Sequence, residues 1–174
     1  MPRPSSAATG LRWSGTGTKH GTERNDPLLG GHGSDKLYGE AGDDLLWGDA
    51  RHDSGGAGAR RQKDVISGGP GADTIFGGRG TNTVFGGDGD DTIQGGTGTN
   101  SIAGGPGNDS IRLVSAASSR VDAGPGDDVI TAIISRGRAR ISCGPGDDVV
   151  IASRFKGNRR RVSVAKDCER VKRG

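Results

Sequence analysis

Four pairs of adjacent carboxylates, Asp43-Asp44, Asp90-Asp91, Asp127-Asp128 and Asp147-Asp148, are the residues of this sequence best placed to do chemistry. Two neighbouring carboxylates can share the roles of general acid and base, or they can hold a divalent cation. Spacing decides between these. Each pair fills the fifth and sixth places of a nine-residue unit that recurs along the chain, whereas an active site occurs once. The sixth place is Asp or Asn in every copy: Asp26, Asp35, Asp44, Asp64, Asp73, Asn82, Asp91, Asn100, Asp109, Asp128 and Asp148. Such recurrence argues for ion binding. Other chemistries find no support. His20, His32 and His52 form no HExxH, no GxxxxGK[ST] loop is present, and Cys143 and Cys168 have no clear histidine partner. The reading is therefore of a protein that binds and does not catalyse.

The elements that must position these carboxylates follow from the same period. The units GTERNDPLL (21–29), GGHGSDKLY (30–38) and GEAGDDLLW (39–47) are followed, after an interruption, by GGPGADTIF (68–76) and four further copies to residue 112. Looser copies are AGPGDDVIT (123–131) and CGPGDDVVI (143–151). Glycines at the first, second and fourth places suit a tight turn. The last three residues, as in Thr92-Ile93-Gln94, are β-prone, with the central aliphatic pointing inward and its neighbours outward. Two such units make one flattened coil of 18 residues. Stacked coils predict an all-β parallel β-roll, a solenoid with sheets of strands about 4.8 Å apart around a thin aliphatic core.

These units resemble the RTX, or hemolysin-type, calcium-binding nonapeptide repeat, GGxGxDxUx, over most of residues 21–151. The resemblance implies several calcium ions between successive turns on one edge. The sixth-place Asp would supply side-chain oxygen, and turn carbonyls such as those of Gly69, Gly71, Gly87, Gly89, Gly105 and Gly107 much of the rest. Geometry agrees, since an ion midway between turns about 4.8 Å apart lies about 2.4 Å from each, within the calcium–oxygen range. Magnesium prefers shorter bonds and fits less well.

Alternate units fall on opposite edges of the roll. The first edge carries Asp26, Asp44, Asp73, Asp91, Asp109, Asp128 and Asp148, all carboxylates. The second carries Asp35 and Asp64, then Asn82 and Asn100 as weaker ligands, and then loses the motif in SAASSR (115–120) and SRGRAR (135–140). One full calcium edge and one that is competent only near its start are expected. Thr81-Asn82 and Thr99-Asn100 are expected to project as a short rank, which resembles an ice-binding face on a very small scale.

Three regions follow: a flexible leader (1–20), the regular roll (21–112, with 48–63 as an inserted surface loop) and divergent coils with a basic cap (113–174). Asp44 to Asp73 and Asp35 to Asp64 are both 29 residues, so the insertion keeps register. Beyond residue 112 the coils lengthen, with Asp109 to Asp128 spanning 19 and Asp128 to Asp148 spanning 20, while Val121 and Ile141 continue the inward row. CGPGDD followed by DCE resembles a terminal segment of secreted bacterial RTX-like proteins. Cys143 and Cys168, the only cysteines, are expected to form a disulfide that staples the last strand over the open end, where a solenoid needs a cap.

Composition bounds the rest. With 35 glycines and 3% aromatics among 174 residues, a thick aromatic core is excluded. No apolar run approaches the roughly 18 residues of a membrane span, and the start has no apolar signal region. Residues 1–131 carry 12 basic and 17 acidic side chains, residues 132–174 carry 12 and 4. The basic face of Arg136, Arg138, Arg140, Arg154, Lys156 and Arg159–Arg161 offers an alternative role, adhesion to an anionic glycan, a lipid surface or nucleic acid. Only Phe155 interleaves with it, so nucleic acid is disfavoured. The resemblance implies an extracellular or cell-surface module that folds on binding calcium.

Overall fold

The structure, a computed structural model, is described over residues 11–12, 17–49, 62–115, 118–134, 137–152 and 162–173. It is a parallel β-solenoid. Every strand pairs with the strand two further along the chain, which builds one sheet of nine strands and one of eight. The nine-stranded sheet runs Leu11–Arg12, Pro27–Leu29, Leu45–Trp47, Thr74–Phe76, Thr92–Gln94, Ser110–Ser115, Val129–Ile134, Val149–Ala152 and Arg170–Arg173. The other runs Gly17–His20, Asp35–Tyr38, Lys63–Pro70, Thr81–Asp88, Thr99–Ala103, Ser119–Asp122, Ala139–Ser142 and Val162–Val164. No described segment is a helix, so none is a helix long and apolar enough to cross a membrane.

Register follows the eighth place of the repeat. Leu28, Leu46, Ile75, Ile93, Ile111, Ile130 and Val150 stack in one sheet, and Leu37, Ile66, Val84, Ile102, Val121 and Ile141 in the other. All are buried, and each contributes about 1.5–3 kcal/mol by leaving water. Their strand neighbours face outward, where Trp47 meets Phe76 with ring centroids 5.2 Å apart. The insertion leaves register untouched, since Leu45 pairs with Thr74 and Lys36 with Val65. Residues 50–61 of that loop lie outside the described residues.

The structure departs from the sequence reading in three places. The roll starts ahead of residue 21, because Leu11–Arg12 pairs with Leu28–Leu29 and Gly17–His20 with Asp35–Tyr38. The segment read as a leader thus already holds strands: Leu11 stands in register with Leu28 in one sheet, while in the other the column of Leu37 begins at Lys19, whose ammonium donates to the Leu29 carbonyl at 2.7 Å. Strands Lys63–Pro70 and Thr81–Asp88 run on through the glycine pair into the next turn, far beyond three residues. At Gly87 this path has φ 134°, and a Cβ there would strike the Gly69 carbonyl oxygen. Finally, the longer coils spend their extra residues on a second inward row, Leu113, Ala132 and Ala152, with Ile134 inward two residues beyond it, all buried.

The last described coil is formed by Val162–Val164 and Arg170–Arg173, one strand in each sheet. A disulfide joins Cys143 and Cys168, with Cα atoms 5.2 Å apart. Elsewhere the turn amides donate to carbonyls of the following coil, as Ala123 does to Ser142 at 3.0 Å and Gly124 to Cys143 at 2.8 Å. Where the coils run out, the carboxylate of Asp167 substitutes for those carbonyls. It accepts from the Ser142 hydroxyl at 2.8 Å and from the Cys143 and Gly144 amides at 3.2 Å. These bonds, the Ser142 hydroxyl first, hold its pKa below the ordinary carboxylate range. Asp167→Ala should therefore lower the stability of the roll by about 2–3 kcal/mol, read as a reduced urea midpoint. An unchanged midpoint would show that these bonds add nothing.

Candidate functional site: two acidic edges

Along the first edge the sixth-place aspartates form a ladder. The amide of Asp26 donates to Asp44 Oδ1 at 2.8 Å, Asp44 to Asp73 at 2.7 Å, Asp73 to Asp91 at 2.8 Å, Asp91 to Asp109 at 2.9 Å, Asp109 to Asp128 at 2.7 Å and Asp128 to Asp148 at 2.9 Å. One oxygen of each carboxylate is thus tied to the preceding coil. The other, Oδ2, is buried with no hydrogen-bond partner in Asp44, Asp73, Asp91, Asp109, Asp128 and Asp148. Asp26, at the start of the row, differs: its Oδ2 accepts from the amide and hydroxyl of Thr22, both at 2.7 Å.

The fifth place makes a second ladder with the opposite sense. Asp43 donates its amide to Asn25 Oδ1 and Ala72 to Asp43 Oδ1, both at 2.9 Å. Asn108 donates to Asp90 at 2.7 Å, Asp127 to Asn108 at 2.8 Å and Asp147 to Asp127 at 2.8 Å. Paired carboxylates therefore divide labour: the exposed one binds the coil after it, the buried one the coil before it. The recurrence of Asx at the fifth place was visible in the sequence, but the direction of its bonds was not.

Burial has an electrostatic cost. Loss of water, with repulsion from neighbouring aspartates added and the amide bond opposing, raises Asp73, Asp91 and Asp128 to about 6 and Asp109 to about 7. Asp44 and Asp148 are raised for the same leading reason. A buried carboxylate oxygen without a donor is a group that a cation satisfies well.

Beside the Oδ2 atoms of Asp44, Asp73, Asp91 and Asp109, space exists only because the first residue of the turn is glycine. A Cβ on Gly86 would overlap both Asp91 Oδ2 and the Gly104 carbonyl oxygen. The same pairing meets at Gly39 (Asp44 Oδ2, Gly68 oxygen), Gly68 (Asp73 Oδ2, Gly86 oxygen) and Gly104 (Asp109 Oδ2, Ala123 oxygen). Further carbonyls line the same edge. Those of Gly69, Gly71, Gly87, Gly89, Gly105 and Gly107 each face the matching glycine of the next coil, at Gly87, Gly89, Gly105, Gly107, Gly124 and Gly126. The turns of Asp128 and Asp148 depart from this pattern, with Ala123 and Cys143 in the first place. Among the described residues no three His, Cys, Asp or Glu side chains converge. Buried carboxylates come one per coil along this edge, so main-chain carbonyls supply further oxygens to any cation site here. An all-oxygen set of this kind fits calcium.

The second edge begins alike and then changes. Gly17 donates to Asp35 Oδ1 at 3.1 Å, and Asp35 to Asp64 Oδ1 at 2.9 Å. Asp35 Oδ2 accepts the Gly31 amide at 3.0 Å, while Asp64 Oδ2 is buried without a partner. Burial, then Asp35 and Asp49, raise Asp64 to about 7. Asp49, at the start of the insertion, is a neighbour that the repeat pattern did not single out. Beyond Asp64 amides take over. Asn82 Nδ2 donates to Asn100 Oδ1 at 3.1 Å and to the Gly95 carbonyl at 3.2 Å, and Asn100 Nδ2 to the Gly96 and Gly98 carbonyls, each at 3.3 Å. The row continues in Ser119, whose hydroxyl accepts the Asn100 amide at 3.2 Å. Both asparagines are buried, so they do not project, and the expected Thr-Asn rank reduces to exposed Thr81 and Thr99. The inward alternation of the strand, applied one residue further toward the turn, explains the difference. Of the basic face, Arg138 and Arg140 are exposed, whereas Arg136, Arg154, Phe155, Lys156 and Arg159–Arg161 lie outside the described residues, as does His52.

Fold and edge together define a parallel β-solenoid whose glycine turns rank single carboxylates against main-chain carbonyls. The family model for the RTX calcium-binding nonapeptide repeat matches the chain in four copies, over residues 20–54, 61–84 and 76–111. Across residues 20–111 the chain belongs to that family of calcium-binding repeats. No curated protein matches it.

Proposed function

We propose that this chain is a non-enzymatic calcium-binding module of the cell exterior, folded by several ions seated along its edges. The observation that carries the reading is the run of buried, partnerless Oδ2 atoms, which in Asp44, Asp73, Asp91 and Asp109 lie beside a main-chain carbonyl in a space kept open by glycine. Asp44, Asp73, Asp91, Asp109, Asp128 and Asp148 are the ligands of the first edge and Asp64 that of the second. Asp26 and Asp35 hold the starting turns, their Oδ2 atoms accepting the Thr22 and Gly31 amides. At Asn82 and Asn100 the side-chain amide donates to turn carbonyls in place of a cation. Calcium, when bound, supplies the positive charge that these oxygens lack.

Without it, carboxylates ranked about 4.8 Å apart repel, so binding and folding are coupled. Sites that work near roughly 10⁻⁴–10⁻³ M calcium would be filled outside the cell and empty within it. The Cys143–Cys168 disulfide suits the same oxidising compartment. The test is to titrate calcium into chelated protein and follow far-UV circular dichroism, counting ions by native mass spectrometry. A gain of β signal with several ions bound is expected. A spectrum indifferent to calcium would overturn the reading.

A further inference from the structure

The first-edge ladder does not stop at the last repeat. Asp148 donates its amide to Glu169 Oε2 at 3.0 Å, the same bond that every earlier rung makes to the aspartate of the following coil. Val149 pairs with Arg170, so Glu169 occupies the register of a sixth-place aspartate although no repeat motif surrounds it. The linking turn is shorter here: residues 165–169 span what residues 142–148 span one coil earlier. A glutamate carries one more methylene than an aspartate, and that added reach suits the shorter path.

We propose that Glu169 is a calcium ligand, and that the C-terminal cap shares a further ion site between Asp148 and Glu169. The proposal rests on the calcium reading above and extends it to a residue outside the repeats. Two observations carry it besides the ladder bond. Asp148 is 0% exposed, and its Oδ2 has no hydrogen-bond partner. The other acid of the cap is already committed, since Asp167 accepts from Ser142, Cys143 and Gly144. Glu169 is exposed at the end of the roll and accepts the Asp148 amide through Oε2, so its carboxylate stands beside the Asp148 turn.

The disulfide fits the same role. Cys143 opens the turn that ends in Asp148, and Cys168 immediately precedes Glu169, so one covalent link ties the two carboxylate-bearing segments together. The triplet Asp167-Cys168-Glu169 then has three separate duties: Asp167 accepts the amides left over, Cys168 anchors, and Glu169 supplies the last carboxylate of the row.

The test uses the full chain in two measurements. The ¹³C resonance of the Glu169 carboxyl should move as calcium is added. Glu169→Gln, which keeps an oxygen for the Asp148 amide and removes the charge, should bind one ion fewer by native mass spectrometry. A Glu169 resonance that stays still, in a chain whose circular dichroism responds to calcium, overturns the terminal site and leaves the general reading standing. Equal ion counts for the variant and the parent chain have the same consequence. If neither the resonance nor the dichroism responds, the calcium reading fails and this proposal falls with it.

Discussion

Asp91→Asn is expected to stabilise the metal-free roll and weaken its hold on calcium, and Asn100→Asp to do the reverse. In the parent chain Asp91 Oδ1 accepts the Asp73 amide, while Oδ2 is buried without a hydrogen-bond partner, beside a Gly104 carbonyl that accepts the Gly87 amide at 3.0 Å. An asparagine keeps the first bond and turns a donor toward that carbonyl, as Asn100 already does toward Gly96 and Gly98. Removing one buried orphan acceptor is worth about 1–3 kcal/mol, so the urea midpoint in chelator should rise by a corresponding amount. With calcium present the same change deletes a charged ligand, and the midpoint should fall. Asn100→Asp removes donors from two carbonyls and adds charge beside Asn82, which costs stability in chelator and is offset when calcium is added. The signature is a change of sign between the two buffers. Shifts of the same sign in both would show that the carboxylates are not cation ligands.

The metal-free protein should melt at a higher temperature at pH 5 than at pH 8. Asp73, Asp91 and Asp128 are raised to about 6 and Asp64 and Asp109 to about 7, against an ordinary value of 3.8, and burial is the leading cause in each. A carboxylate whose folded pKa exceeds its unfolded one contributes stability that is complete below the unfolded value and is lost as pH rises through the folded value. The loss therefore falls between about pH 4 and pH 7 and is complete above it. Calcium reverses the trend, because its ligands must be ionised and protons compete with it as pH falls. Melting curves recorded in chelator and in calcium should thus cross as pH is raised. A metal-free melting temperature that climbs steadily from pH 5 to pH 8 would refute the burial argument.

Much of this was legible because the period is rigid. One aliphatic residue in each nine fixed both inward columns, from Leu28 to Val150 and from Leu37 to Ile141, and alternation of units fixed which aspartates share an edge. What escaped lay where the period fails or is incomplete. The strand Gly17–His20 carries Lys19 in the inward column, and Leu11–Arg12 offers a lone Leu11 without the glycine and Asp places of the repeat, so the pattern did not reveal them. Leu113 and Ile134 sit inside because a longer coil has more interior to fill, a consequence of coil width that nine-residue bookkeeping does not contain. Asp167 and Glu169 answer amides orphaned at the end of the stack, and those donors become visible only once the coils are assembled.

The two opposed ladders of the first edge give the roll a direction of failure. Each interior coil is held by its sixth-place aspartate to the coil before and, except at Ala72, by its fifth-place residue to the coil after, so such a coil cannot leave without breaking bonds to both sides. Loss must begin at an end, and the ends are unequal. At one, Leu11–Arg12 and Gly17–His20 are held by strand pairing; at the other, Cys143 and Cys168 form a rivet. Among the described residues the roll is a zipper with one covalent stop, set at its C-terminal side.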